Sequence, residues 1–150
     1  MKVTWLGAEE ITVERLAREG IASEHVSVGA HEARIDALMA SGGYVKRDEV
    51  ALTPTTPDLP AIEAKFADEH MHDEDEVRFV VEGEGIFDIR STDDRWMRVV
   101  VHPGDLIVVP RGRWHRFFLG EAKTIRAVRL FQQPSGWTPH YRDAVVTVRD

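Results

Sequence analysis

The chain has 150 residues, 43% hydrophobic and 30% charged, which is ordinary for one compact domain and excludes a fibrous or disordered polypeptide. Its net charge of −7, from 26 acidic against 19 basic side chains, disfavours a phosphate-binding surface, so no nucleic-acid partner is expected. Cysteine is absent, which removes disulfides, thiolate catalysis and sulfur ligands and leaves His and carboxylate as the only metal donors.

The opening Met1-Lys2-Val3-Thr4-Trp5 runs quickly into Glu9 and Glu10, without the apolar stretch of a signal peptide. No apolar run approaches the roughly 20 residues of a membrane span, so a cytoplasmic protein without a membrane partner is expected. Thr12 is placed to cap a short helix from Val13 to Glu19 that Gly20 would stop, and Ile35, Leu38 and Met39 give a second segment helical spacing before Gly42-Gly43. From Val45 the texture changes. The stretch Asp48 to Pro60 reads as one strand followed by a loop punctuated at Pro54, Pro57 and Pro60. Further strands are predicted at Glu76 to Glu82, Gly85 to Arg90, Trp96 to Val101, Asp105 to Val109, His115 to Leu119 and Thr124 to Phe131, each bounded by Gly, Pro, Asp or Ser. The expectation is a mainly β, single-domain chain over residues 1–150: a helical covering segment at 1–44 with short peripheral helices, and an antiparallel jelly-roll barrel at 45–142.

His70-Met71-His72 places two imidazoles two residues apart, so on extended backbone both face the same way, and Glu76 keeps the parity. His115 comes much later, after an apolar strand and the turn Pro110-Arg111-Gly112-Arg113-Trp114, and a barrel can bring it to the same point. Taken alone, the acidic run of Asp68, Glu69, Asp73, Glu74 and Asp75 reads equally as a solvated loop with incidental histidines. The second element, Gly104-x5-Pro110-x-Gly112-x2-His115, tips the reading to metal. Three imidazoles and one carboxylate suit iron, nickel, copper, manganese or zinc, and not calcium or magnesium. Four ligands close a tetrahedral site, whereas on a six-coordinate ion they leave two adjacent positions open to a bidentate oxygen ligand. His25, His31, His102 and His140 lack such partners and read as surface or capping residues.

The two elements, His70-x-His72-x3-Glu76-x6-Gly83 and Gly104-x5-Pro110-x-Gly112-x2-His115, resemble the paired motifs of the cupins. Ala64 stands where the first usually opens with Gly, and Leu119 where the second often closes with Asn; neither is a ligand position. A closer likeness is to the acireductone dioxygenase family. It rests on Gly43-Tyr44, Asp48-Glu49-Val50, Lys65-Phe66, Glu69-His70-x-His72-Asp73-Glu74-Asp75-Glu76-Val77-Arg78-Phe79, Glu82-Gly83-x-Gly85-x-Phe87, His115-Arg116-Phe117, Ala127-x-Arg129-Leu130-Phe131 and Gly136-Trp137-Thr138-Pro139. The first thirty residues are short for that family, so the cover over the barrel is expected to differ.

The resemblance implies a cupin barrel holding one Fe(2+) or Ni(2+) per chain through His70, His72, Glu76 and His115, with an acireductone and O2 as substrates. It also implies metal-dependent products: formate and a 2-keto acid with iron; carbon monoxide, formate and a carboxylic acid one carbon shorter with nickel. Arg78, two residues beyond Glu76 and on its face, is the candidate to stabilise a bound enediolate, and Arg129 is the matching candidate from the late strand. The bland alternative for both is a structural salt bridge. Phe66 and Phe117 are candidates for the apolar end of the substrate pocket, with plain barrel core as their alternative. Asp68, Glu69 and a hydroxide on the ion stay open as the base. Two other functions fit the same scaffold, a metal isomerase, epimerase or lyase of specialised metabolism and a non-catalytic ligand-binding cupin. The chain is expected to act as a monomer or small homo-oligomer.

Overall fold

The computed structural model describes residues 1–6, 8–134 and 137–143. Near the N-terminus, strands β1 (Lys2–Trp5) and β2 (Ala22–His25) alternate with helices α1 (Val13–Arg18) and α2 (His31–Gly42). The helices fall where their caps put them. Thr12 Oγ1 accepts the Arg15 N–H at 3.1 Å to start α1, and Gly43 at φ 70° ends α2 in the left-handed conformation that glycine adopts without strain.

After β3 (Lys46–Leu52) the expected proline-punctuated loop spans residues 53–58, and a helix that the sequence reading did not mark, α3 (Leu59–Ala67), begins at its end. Pro60 lies in the first turn of α3, where a missing N–H breaks no intrahelical bond, so it marks a helix start and not a continued loop. The remaining strands are β4 (His70–Met71), β5 (Glu76–Gly83), β6 (Gly85–Arg90), β7 (Trp96–Val101), β8 (Asp105–Val109), β9 (His115–Leu119), β10 (Ile125–Phe131) and β11 (His140–Tyr141). Six of these were legible to within a residue at each end.

Two antiparallel sheets result, of order β1-β7-β6-β9-β4-β11 and β2-β8-β5-β10-β3. Both draw on the N-terminal segment, since β1 borders β7 and β2 borders β8. One core takes side chains from both sheets, among them Val80, Phe87, Ile89, Met97, Val99, Ile107, Val109, Phe117 and Ala127. A second cluster lies on the other face of β5: Val77, Phe79 and Val81, with Leu106, Val128 and Leu130, pack with Ile35, Leu38 and Met39 of α2. Burying each such side chain stabilises by roughly 1.5–3 kcal/mol, so α2 is held by its apolar face. β5 is thereby covered on both sides, and Glu76, Arg78 and Val80 point into the barrel while their neighbours point at α2. Gly83 ends β5 at φ 82°, tight against the Thr124 carbonyl, where any Cβ would collide. This is the mainly β barrel with peripheral helices that the sequence predicts.

Candidate metal centre

Three strands converge at one end of the barrel. His70 on β4 pairs directly with His115 on β9. His72 follows β4, and its carbonyl accepts the Gly112 N–H at 2.9 Å, tying the first motif to the turn of the second. Glu76 opens β5 opposite Val109 of β8. The imidazole centroids are 4.5 Å apart for His70 and His115, 5.1 Å for His70 and His72, and 5.3 Å for His72 and His115. One ring nitrogen from each lies within 4.8 Å of the others. Glu76 Oε2 is 2.7 Å from His115 Nε2 and 3.3 Å from His72 Nε2. Two ligand atoms each about 2.0–2.2 Å from a common ion lie about 3 Å apart when adjacent, so the spacing is that of a shared coordination sphere.

The outer partners fix the tautomers. Nδ1 of His70 donates to the Asp68 carbonyl at 2.6 Å, that of His115 to the Arg113 carbonyl at 2.9 Å, and that of His72 to the Thr138 carbonyl at 3.2 Å. A carbonyl can only accept, so Nδ1 carries a proton in each ring and Nε2 is left to face the cluster. There it gives its lone pair to an ion when one is bound, whereas without an ion His115 and His72 meet the Glu76 carboxylate through a proton on Nε2. All four residues are buried, none more than 7% exposed. Burial, aided by the neighbouring His115, pushes His70 down to about 4, which keeps it a neutral donor near pH 7. Burial alone would raise Glu76, but the Arg78 cation and the hydrogen bonds from His115 and His72 outweigh it and hold the carboxyl well below its usual range. Burial opposes protonation of His72 too, and there the Glu76 hydrogen bond wins and raises it. Three buried imidazole lone pairs and one buried carboxylate are the donor set of a divalent transition metal, and these residues fit one.

A cavity of about 170 Å³ adjoins the cluster, lined by seven of the eight predicted site residues: Phe66, His70, His72, Glu76, Arg78, Phe117 and Arg129. The eighth, His115, reaches them through Glu76. Arg78 is buried, its Nε donating to Glu76 Oε1 at 2.9 Å, and its guanidinium carbon lies 4.7 Å from the Phe117 centroid and 5.8 Å from that of Phe66. Arg129 stands opposite Arg78 across β5 and β10, and its Nε and Nη2 grip Asp48 at 2.8 and 2.7 Å. The structural pairing weighed for both arginines is therefore present, and both also face the cavity. A wider concavity of about 880 Å³, lined by Gly83, Glu84, Ile86 and residues 119–124, shares no residue with the cluster.

Four further residues line the cavity, Lys65, Trp137, Pro139 and Tyr141. Sequence reasoning assigned them no role, although Lys65 and the Trp137-Thr138-Pro139 run were visible in the family resemblance; Gly136 of that run lies outside the described residues. Neither carboxylate considered as a base lines the cavity. Asp68 is exposed, and Glu69 is bound by Arg90 at 2.9 Å and Arg142 at 2.8 Å. His25, His102 and His140 sit on the surface against Asp105, Glu84 and Asp73, while His31 opens α2 and stacks on Phe79 at 4.7 Å.

Comparison with known proteins gives a consistent result. The sequence model of the ARD/ARD' family matches residues 6–139. The chain is 39% identical over 131 residues to an acireductone dioxygenase of Heterostelium pallidum, covering 87% of this chain and 90% of that protein. It is 42% identical over 124 residues to one from a Sulfurihydrogenibium species, covering 82% of this chain and 69% of that protein. Among solved structures, an acireductone dioxygenase from Bacillus anthracis with a cadmium ion in its active centre superposes with a TM-score of 0.87 at 28% identity, covering 93% of this chain and 97% of that one.

Proposed function

The chain belongs to the ARD/ARD' family, and from that premise we propose that it is an acireductone dioxygenase, cleaving an acireductone with O2 at one iron(II) or nickel(II) held by His70, His72, Glu76 and His115. The observation that carries this reading is the convergence of three oriented imidazoles and a buried carboxylate beside a cavity with a cationic wall. Such an ion supplies Lewis acidity toward enediol oxygens and a place for dioxygen to react.

The side chains of the chain do the rest. Arg78 holds Glu76 in place through one nitrogen and keeps its other guanidinium donors for the negative charge of an enediolate. Arg78 itself is buried, and there that charge pairing is stronger than it would be in bulk water. Phe66 and Phe117 lie side by side against the Arg78 guanidinium and give the substrate's side chain an apolar wall. Arg129 adds positive potential, fixed in direction by Asp48. A cavity beside the cluster favours catalysis over a purely structural ion.

The same proposal takes the chain as a single cupin domain in the cytoplasm, acting as a monomer or small homo-oligomer; cell fractionation and light scattering test these points. No helix among the described residues is long and apolar enough to cross a membrane. The test of function is anaerobic titration of iron-loaded protein with an acireductone. Perturbation of the enediolate absorbance by the loaded but not the metal-free protein is expected. An unchanged spectrum would remove the substrate while leaving the metal centre.

A further inference from the structure

The two sheets differ in what lies on their outer faces. α2 covers the outside of β2-β8-β5-β10-β3 with Ile35, Leu38 and Met39. The outside of β1-β7-β6-β9 has no such cover among the described residues, and its side chains stand in two rows that cross the strands. Lys2, Val100, Ile86 and Phe118 make one row; Thr4, Arg98, Asp88 and Arg116 make the next. Val100, Ile86 and Phe118 belong to neither hydrophobic cluster and are each partly exposed. Ile86 also forms part of the wall of the concavity of about 880 Å³, so apolar surface continues off the end of the first row. The second row is cationic. Asp88 is 0% exposed although its strand position faces solvent, because two guanidiniums lie over it: Arg98 donates through Nε and Nη2 at 2.7 and 2.9 Å, and Arg116 through Nε at 2.9 Å. One arginine is enough to neutralise one carboxylate. The second leaves a net positive charge, and among the described residues the two η nitrogens of Arg116 meet no acceptor. The Arg116 guanidinium carbon lies 4.2 Å from the Trp96 ring centroid, which holds that charge in place. With exposed Lys2, three cations stand against one buried carboxylate on this face, in a chain whose net charge is −7.

From this mismatch we propose that the outer face of β1-β7-β6-β9 is a docking surface for an acidic segment of a partner protein, bound in an extended conformation along the strands. Neighbouring rows on a sheet face are about 7 Å apart, which is also the spacing of side chains i and i+2 in an extended peptide. A carboxylate set over Arg98 and Arg116 therefore brings the side chain two residues along over Val100, Ile86 and Phe118, where an aliphatic or aromatic group buries their surface. A second copy presenting the same face is the poorer occupant, because it sets cation against cation. An anionic bilayer is poorer too, since both guanidiniums are drawn down onto Asp88 and the acidic remainder of the chain is repelled by the same surface. The docking surface is separate from the ligand cluster, because His115 and Phe117 of β9 point into the barrel while Arg116 and Phe118 point out of it.

The probe is a short fluorescein-labelled peptide in which glutamate and leucine alternate with serine spacers, and its binding to the full chain is read by fluorescence anisotropy. Wild-type protein should bind it, with affinity falling as salt is raised from about 20 to about 200 mM. A peptide with lysine in place of glutamate should not bind. Arg116→Gln, which leaves Arg98 paired with Asp88 through two nitrogens, should weaken binding about tenfold. Phe118→Thr should weaken it several-fold, whereas Arg126→Gln on the other sheet should leave it unchanged. Circular dichroism of each variant shows that the barrel is intact. No binding by wild-type protein, equal binding of the lysine peptide, or unaltered affinity in both Arg116→Gln and Phe118→Thr overturns the proposal. Binding to phosphatidylserine vesicles without binding of the peptide assigns the face to a membrane and overturns it as well. Self-association that Arg116→Gln abolishes, again without peptide binding, overturns it in favour of a second copy.

Discussion

His70 and His115 lie directly opposite one another on β4 and β9, 45 positions apart in the chain, with ring centroids 4.5 Å apart. That register brings the two halves of the site together, because a one-residue slip of β9 would turn His115 out of the barrel. His115→Ala should therefore lose the bound ion, read by elemental analysis, while the barrel's circular dichroism persists. Loss of more than a hundredfold in metal affinity is expected, beyond the 10–100-fold typical for a residue that only supports a ligand. Full metal content in the variant would remove His115 from the ligand set.

Arg78 has two jobs, and they separate by experiment. Arg78→Ala leaves the Glu76 carboxylate buried without its cation, so the metal-free protein should lose about 3 kcal/mol of stability in urea unfolding. A bound divalent ion replaces that positive charge, so the loaded variant should recover most of the deficit yet turn over at least a hundredfold more slowly. Wild-type turnover in the loaded variant would leave Arg78 a structural partner of Glu76 and nothing more.

Phe66 and Phe117 meet edge to face at 5.8 Å, but Phe117 is core at 2% exposed and Phe66 is half-buried on α3. Phe117→Ala should destabilise the fold by about 3–5 kcal/mol. Phe66→Ala should chiefly raise KM for an acireductone with an alkyl side chain, with kcat changed less. A kcat loss without any KM change would place Phe66 in support of Arg78 and not against the substrate.

Glu69 anchors the segment that carries Trp137 and Tyr141. Its carboxylate binds Arg142 and Arg90, and its carbonyl accepts the Arg142 N–H at 2.9 Å. Burial would raise Glu69, but the two arginines outweigh it and lower its pKa below the ordinary 4.5. A carboxyl lowered on folding stabilises fully above its unfolded value and loses that contribution as pH falls through the folded value. Glu69→Gln should therefore be less stable than wild type at pH 6–7, and the gap should close as the pH is taken below about 4. A gap unchanged across that range would mean that the charge of Glu69 does not hold the segment.

What the sequence revealed and what it hid follow from the range of the interactions. β5 to β10 were legible because Gly83, Pro103-Gly104 and Gly120 interrupt apolar runs locally. The shared inward face of Glu76 and Arg78 needed only the period of β5, whereas His70 and Glu76 stand on different sheets with non-strand residues 72–75 between them, so their meeting depends on the fold and not on strand parity. β1, β2, β4 and β11, by contrast, have two to four residues each and exist through partners far along the chain, as with Lys2 beside Val100 or His140 beside Met71. No local pattern marks such strands. α3 was hidden because three prolines suggest a loop unless one of them sits in a first turn. The Arg129–Asp48 pair spans 81 positions, so its partner could not be read from the neighbourhood of either residue. The cavity wall at Trp137 and Tyr141 was missed because it is made by a short segment with no periodicity of its own.

The most direct measurement is oxygen-dependent turnover of an acireductone by protein loaded separately with iron(II) and with nickel(II), following enediolate absorbance and identifying the products. The account predicts that both loaded forms consume the enediolate only when O2 is admitted, that metal-free protein and loaded His115→Ala do not, and that formate appears among the products. Turnover under strict anaerobiosis, or no consumption by either loaded form in the presence of O2, would contradict it.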